Sequence, residues 1–262
     1  MPRSLKIIYE SVALCSSLTL LGLICLTWSL FALPLYMLPA GIGTAVGRRA
    51  IMTGFRIYSW SLSLTRAYRL DIAGLDALKK GPPVILAPNH PSLIDALLIL
   101  SRHPNIVCVM KSSLMRNVFL GSGARLARYI RNDSSRQMVR ESVAQLRLGA
   151  VLLLFPEGTR TVRAPINPLA GSVGLIAKHA NVPVQTLVIE TDSPFLSKGW
   201  PLFRRPSLPI TYRVRLGRRF DPPVEVPAFT TELERYYRQA LDGALQSLWL
   251  QRSCAKVPVD DR

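Results

Sequence analysis

Two short polar clusters each follow an apolar run of the kind that forms a buried strand. The first is Asn89, His90 and Asp95 in PVILAPNHPSLIDALLIL. The second is Glu157, Gly158, Thr159 and Arg160 in VLLLFPEGTR. An imidazole with a carboxylate on one ring nitrogen has its tautomer fixed, and its other nitrogen can take a proton from a hydroxyl. In a continuous helix, residues five apart point ~140° away from each other, so His90 and Asp95 meet only if His90 lies outside the helix. Pro91 favours extended backbone at His90 and itself suits a first helical position. The segment therefore predicts a strand, a turn at His90 and a helix from Pro91. A purely structural pair, with His90 as a cap and Asp95 at the positive end of the helix dipole, is the alternative.

The second cluster strengthens the chemical reading, because ligands in open α/β sheets bind at strand ends. Gly158 would let backbone amides approach an oxygen-rich ligand, Thr159 adds a hydroxyl, and Arg160 offers a forked cation for phosphate or carboxylate. The plainer alternative is a strand-to-loop turn closed by a Glu157–Arg160 salt bridge. His103 and His179 lack an acidic neighbour in sequence. GSVG at Gly171 is not a GxSxG nucleophile elbow, which gives a serine hydrolase little support.

The elements that must position these residues alternate. RLDIAG, PVILAP, IVCVM, AVLLLF and VPVQTLVI have strand character. Helical patterns run from Pro91, over 112–128, over 134–148 and over 171–179. This alternation predicts an α/β class, a mixed sheet flanked by helices. ITYRVRLGRRF sets Tyr212, Val214 and Leu216 against Arg213 and Arg215, as expected of a half-buried strand suited to a sheet edge. Thr231 and Glu234 have capping-box spacing before Leu233, Tyr237, Ala240, Leu241, Ala244 and Leu248, an amphipathic closing helix.

The N-terminal segment is of another kind. Residues 11–47 contain no charged side chain, and Val12 to Leu33 is long enough for a membrane helix of ~20 apolar residues. The apolar stretch continues to Arg48, too long for one upright helix and too short for two full spans, so a bent or re-entrant hairpin fits. From about Gly47 to Ala67, arginines alternate with large apolar residues, as in an interfacial or docked amphipathic helix. We divide the chain into an anchor (1–47), an amphipathic helix (48–67), a catalytic domain (68–252) and a tail (253–262). The 33 Lys+Arg against 16 Asp+Glu, +17 overall, call for an anionic partner. No nucleic-acid module accompanies that charge, and membrane lipid is the simpler partner. The four cysteines show neither disulfide nor metal-ligand spacing.

NHPSLID and FPEGTR together resemble the NHxxxxD and FPEGTR motifs of the glycerolipid acyltransferases, the 1-acylglycerol-3-phosphate acyltransferase family. The motifs lie 66 residues apart, from Asn89 to Phe155, and the likeness covers roughly residues 69–220. It implies a glycerol-phosphate acyltransferase-like fold, with neither metal nor cofactor. His90 would deprotonate an acceptor hydroxyl, which attacks a thioester of acyl-CoA or acyl-ACP. Asp95 would support His90, and Asn89, Glu157, Gly158, Thr159 and Arg160 would seat the acceptor. A second block, in KSSLMRNVFLGSGARLARYIRND, commonly ends in an arginine where this chain has Asn132 beside Arg131. Both are assigned to the acceptor site. VPVQTLV has Thr186 where relatives carry a second proline, and PLAGSVG lacks a basic residue often found after FPEGTR. These departures bear on the acceptor. The expectation is acyl transfer to a lysophospholipid or related lipid alcohol at the cytoplasmic membrane, with the catalytic domain facing the cytoplasm. The rivals are a lipid hydrolase and a catalytically silent lipid-binding protein.

Overall fold

The computed structural model describes residues 2–79 and 81–242. Seven strands form one sheet in the order β1-β7-β6-β2-β5-β3-β4. They are β1 (Tyr68–Asp71), β2 (Ile85–Pro88), β3 (Ile106–Met110), β4 (Ile130–Arg131), β5 (Val151–Leu153), β6 (Val184–Thr191) and β7 (Ile210–Phe220). All neighbours are parallel except β6 and β7. Every residue of β2, β5 and β6 is buried. Unbroken apolar runs are what parallel strands covered on both faces require.

The covering helices are α3 (Asp95–Leu100), α4 (Ser112–Met115), α5 (Gly121–Leu126), α6 (Ser135–Arg147), α7 (Ser172–Ala180) and α8 (Val226–Leu241). The step from β2 through α3 to β3 moves one way along the sheet, and the steps through α6 and α7 move the other way. Right-handed crossovers therefore put α3 on one face and α6 and α7 on the opposite one. α8 joins the α7 face, burying Phe229, Leu233, Tyr237 and Leu241.

Several expected boundaries shift. The helix expected from Pro91 starts at Asp95, and residues 91–94 form a bend and turn. The 112–128 region splits into α4 and α5. β7 is not an edge strand, because β1 pairs outside it. Its alternation survives because Arg213 reaches Asp71 and Arg215 reaches Glu190, carboxylates on the two flanking strands. The Thr231–Glu234 capping box does not form. α8 begins five residues before Thr231, whose hydroxyl donates to the Pro227 carbonyl. Ala244, Leu248 and the 253–262 tail lie outside the described residues.

Two long helices precede the sheet, α1 (Arg3–Leu35) and α2 (Ala40–Leu64), joined by a short turn. α2 thus takes in residues 40–47, which the sequence reading placed in the anchor. It packs against α3 and α5. At Gly47 the contact is so close that a Cβ would lie 2.9 Å from the Ala127 nitrogen. The buried Arg48 beside it donates to the Ala127 carbonyl, Asn105 Oδ1 and Gln145 Oε1. α1 lies against this layer along its length. Glu10 accepts from the Leu208 amide and pairs with Arg205 near one end. Ser29 and Tyr36 donate to the Phe119 and Ser122 carbonyls towards the other.

Candidate active site

β2 lies near the middle of the sheet, and the chain leaving its C-terminal end carries the first cluster. Asn89 is fully buried and spends its amide on β6, donating to the Ile189 carbonyl at 2.9 Å and accepting from the Ile189 N–H at 2.7 Å. Asn89, expected from the sequence to help seat the acceptor, thus turns its side chain to β6. Both of its polar atoms are occupied, and its place in the fold is to pin the end of β2 so that the next residue turns outward.

That residue is His90. The bend over 91–94 lets its ring fold back onto α3, with Nδ1 2.9 Å from Asp95 Oδ2. The same oxygen accepts the Ser92 N–H at 2.7 Å. Asp95 is 0% exposed, and burial raises its pKa above the ordinary carboxylate value. The His90 hydrogen bond, the His90 charge, the Ser92 amide and Arg160 pull it back only in part. The ring stacks on Phe155 with centroids 3.8 Å apart. With Nδ1 held by a carboxylate, Nε2 is the nitrogen that can exchange a proton with a ligand.

The second cluster braces the first. Glu157 Oε1 accepts from the His90 N–H at 2.8 Å and the Thr161 hydroxyl at 2.8 Å, and Oε2 accepts from the Asn167 N–H at 2.9 Å. The Thr161 N–H donates to the His90 carbonyl at 2.7 Å. Both peptide groups of His90 are therefore tied to the loop after β5. Burial raises the pKa of Glu157, and those three donors partly offset the shift. Glu157, expected from the sequence to help seat the acceptor, thus spends three hydrogen bonds on the loop and on the backbone of His90.

Arg160 does not bridge to Glu157. One nitrogen, Nη1, donates to the Leu196 carbonyl at 2.8 Å and the Ser197 carbonyl at 2.9 Å, holding the loop that follows β6. Its partly exposed guanidinium has further N–H groups for an anion. Gly158 is exposed at φ +65°, where a side chain is disfavoured, and a Cβ there would meet nothing within 4 Å. The partly exposed Thr159 sits beside it. Arg131 and Asn132 stand apart. Arg131 ends β4 and Asn132 follows it, three strands from β2 and so roughly 14 Å away across the sheet. Both are exposed, and Arg131 pairs with Asp133 at 3.0 Å.

Sequence reasoning missed four residues. Ser92 supplies an amide to Asp95, and its hydroxyl bonds the Phe195 carbonyl and Tyr212. Tyr212 is fully buried behind it. Asn167 accepts the Val162 and Arg163 amides and folds the loop between Arg160 and α7. Thr161 completes the brace on His90. Ser92 and Thr161 adjoin the motifs and were open to notice, whereas nothing local marks Asn167 or Tyr212.

Comparison with known proteins relates the chain to acyltransferases. Residues 69–190 match the family model described as Acyltransferase. The 1-acyl-sn-glycerol-3-phosphate acyltransferase of Pseudomonas aeruginosa is 24% identical over 194 residues, covering 72% of this chain and 73% of that protein. The enzyme of the same name from Limnanthes alba is 26% identical over 187 residues, covering 68% of this chain and 63% of that one. The crystal structure of the 1-acyl-sn-glycerophosphate (LPA) acyltransferase PlsC from Thermotoga maritima superposes with a TM-score of 0.68. It is 17% identical and covers 92% of this chain and 97% of that one, so the two share a fold.

Proposed function

The chain belongs to the glycerolipid acyltransferase family, and from that footing we propose that it transfers a fatty acyl group from acyl-CoA or acyl-ACP to a hydroxyl of a lysophospholipid or related lipid alcohol. The observation that carries this reading is the 2.9 Å contact between His90 Nδ1 and the buried Asp95 carboxylate. In the proposed reaction, His90 Nε2 takes the acceptor's proton as the hydroxyl oxygen attacks the thioester carbonyl. The tetrahedral intermediate collapses, the C–S bond breaks, and the imidazolium returns the proton to the leaving thiolate. Asp95 stabilises the imidazolium between these steps. Glu157 and Thr161 hold the His90 backbone so that the ring does not drift. Arg160, with Gly158 and Thr159, faces the acceptor's anionic group.

We further propose that α1 and α2 attach the protein to the membrane along the surface rather than across it. An 18-residue stretch of α1 is apolar enough to span, with mean hydropathy 2.0, and Leu30, Phe31 and Leu33 are among the exposed residues of the helix. Its 33 residues measure about 50 Å, however, against a hydrocarbon core of about 30 Å. Contacts from Glu10 to Tyr36 bind it to one domain. A helix held in this way favours an in-plane seat, with the catalytic domain in the cytoplasm where the thioester donor would be met.

Incubating purified protein with labelled acyl-CoA and acyl-ACP and a panel of lysolipids, followed by mass spectrometry, tests the proposal. The expected product is a diacylated lipid that depends on an added acceptor. Free fatty acid without acceptor would make the protein a hydrolase, and absence of turnover with every pair would make it a binding protein.

A further inference from the structure

The connection between β6 and β7, residues 192–209, does two things at once. Because β7 runs antiparallel to β6, the loop lies at the same sheet edge as His90. Its first part walls the site. The Phe195 carbonyl accepts from Ser92 Oγ, the Leu196 carbonyl accepts from the Leu93 N–H, and the Leu196 and Ser197 carbonyls accept from Arg160. Leu196 takes a left-handed φ of +58°, a conformation that a branched apolar residue holds only when its surroundings fix it.

The second part points apolar side chains outward. Leu202 is 45% exposed and Phe203 78% exposed, followed by the exposed Arg204 and Arg205. The turn that presents them is built: Trp200 packs on the core, its indole N–H donates to the Arg204 carbonyl, and the Arg204 guanidinium lies 4.6 Å over its ring. Arg205 reaches Glu10 of α1 at 3.3 Å, and Glu10 also accepts from the Leu208 N–H. The patch is therefore continuous with the end of α1 where Ile8 and Val12 are exposed. It also adjoins the end of α2 where Trp60 and Leu64 are exposed, joined through the Tyr9 hydroxyl on the Thr65 carbonyl. The exposed Arg3 and Lys6 lie on the same end of α1, and the exposed Arg66 follows α2. An apolar tip ringed by cations is the chemistry that enters an anionic lipid interface.

Building on the membrane reading above, we propose that the 200–205 turn is a second membrane-docking element. Its partner is an anionic bilayer, into which it inserts Leu202 and Phe203. Since the same loop holds Arg160, docking sets the Arg160 side of the site against the lipid from which an acceptor would enter.

The experiment uses the full chain with Cys15→Ser and Cys254→Ser, since Cys25 and Cys108 are buried. Phe203→Cys and, as a control, Val224→Cys are labelled with an environment-sensitive nitrobenzoxadiazole. Val224 is equally exposed but lies beyond the far end of β7, beside α7 and α8. The proteins are reconstituted with phosphatidylglycerol–phosphatidylcholine vesicles carrying nitroxide lipid. The expected result is a blue-shifted, quenched label at 203 and an unquenched label at 224. In parallel, Leu202→Ser/Phe203→Ser should lower the rate on a vesicle-borne lysolipid on the order of tenfold. On a water-soluble short-chain acceptor its rate should stay within about twofold. An unquenched 203 label, or equal loss on both acceptors, overturns the proposal. Quenching is read without turnover, so failure of the acyltransferase reading would appear separately, as absence of transfer by the parent protein to either acceptor.

Discussion

Replacing Asp95 with Asn separates the electrostatic role of this residue from its packing role. The side chains are nearly isosteric, and Asp95 Oδ2 accepts two hydrogen bonds, from His90 Nδ1 and the Ser92 N–H. Asp95 Oδ1 is buried without a partner among the described residues. In the variant, the Ser92 amide therefore selects the side-chain rotamer that keeps the amide oxygen in the Oδ2 position and puts NH2 in the Oδ1 position. His90 retains its tautomer, and what disappears is the negative charge opposite the imidazolium. A hydrogen bond to a charged group contributes about 1.5–3 kcal/mol, so the proposed base should lose on the order of 10- to 150-fold in kcat. The effect on stability runs the other way. Burial raises the pKa of Asp95, so folding penalises its charged form relative to the unfolded chain. Its contribution is fully present below the unfolded carboxylate value and is lost as pH rises through the folded value. Removing the charge should leave the denaturation midpoint at neutral pH unchanged or higher, and the advantage of the variant should shrink as pH falls. The assays are initial-rate kinetics with saturating donor and urea melts from about pH 4 to about pH 8, a range that brackets the carboxylate and histidine values. A fully active variant would refute the support role of Asp95, and a variant unfolded at neutral pH would refute the packing argument.

Four further outcomes are expected. His90→Ala should nearly abolish transfer while circular dichroism and membrane recovery stay unchanged, because the ring is at the surface of the site rather than in the core. Asn89→Ala strands the buried N–H and carbonyl of Ile189 and should cost about 2 kcal/mol or more in a thermal or urea melt. Gly158→Ala should cost about 1–2 kcal/mol in the same melts from its left-handed φ alone, since the new Cβ meets no neighbour. The protein should stay with membranes through a high-salt wash and need detergent for release, because apolar insertion of α1 is not screened by salt; recovery in the salt supernatant would remove the anchor.

Much of this protein was determined by local sequence. Parallel strands buried on both faces demand unbroken apolar runs, and PVILAP and AVLLLF show them without alignment or coordinates. A proline after a histidine holds that histidine out of the helix, so the meeting of His90 with Asp95 followed from the geometry of residues five apart. The tertiary structure decided how the remaining polar groups are shared. Asn89 and Glu157 look like ligands in a string of motif residues. Yet Ile189, which bonds both polar atoms of the Asn89 side chain, lies 100 residues further along the chain, and two of the donors on Glu157 come from His90 and Asn167. Spacing within a motif cannot reveal that a side chain is already satisfied by a distant strand or loop. The same holds for β7, whose alternating arginines suit an edge until Asp71 and Glu190 arrive from both sides. It holds also for α1, whose composition permits a span and whose distant partners, Leu208 and Ser122, bind it along the domain. Periodicity records what one element needs to bury, and only the assembled sheet records which of those needs its neighbours have already met.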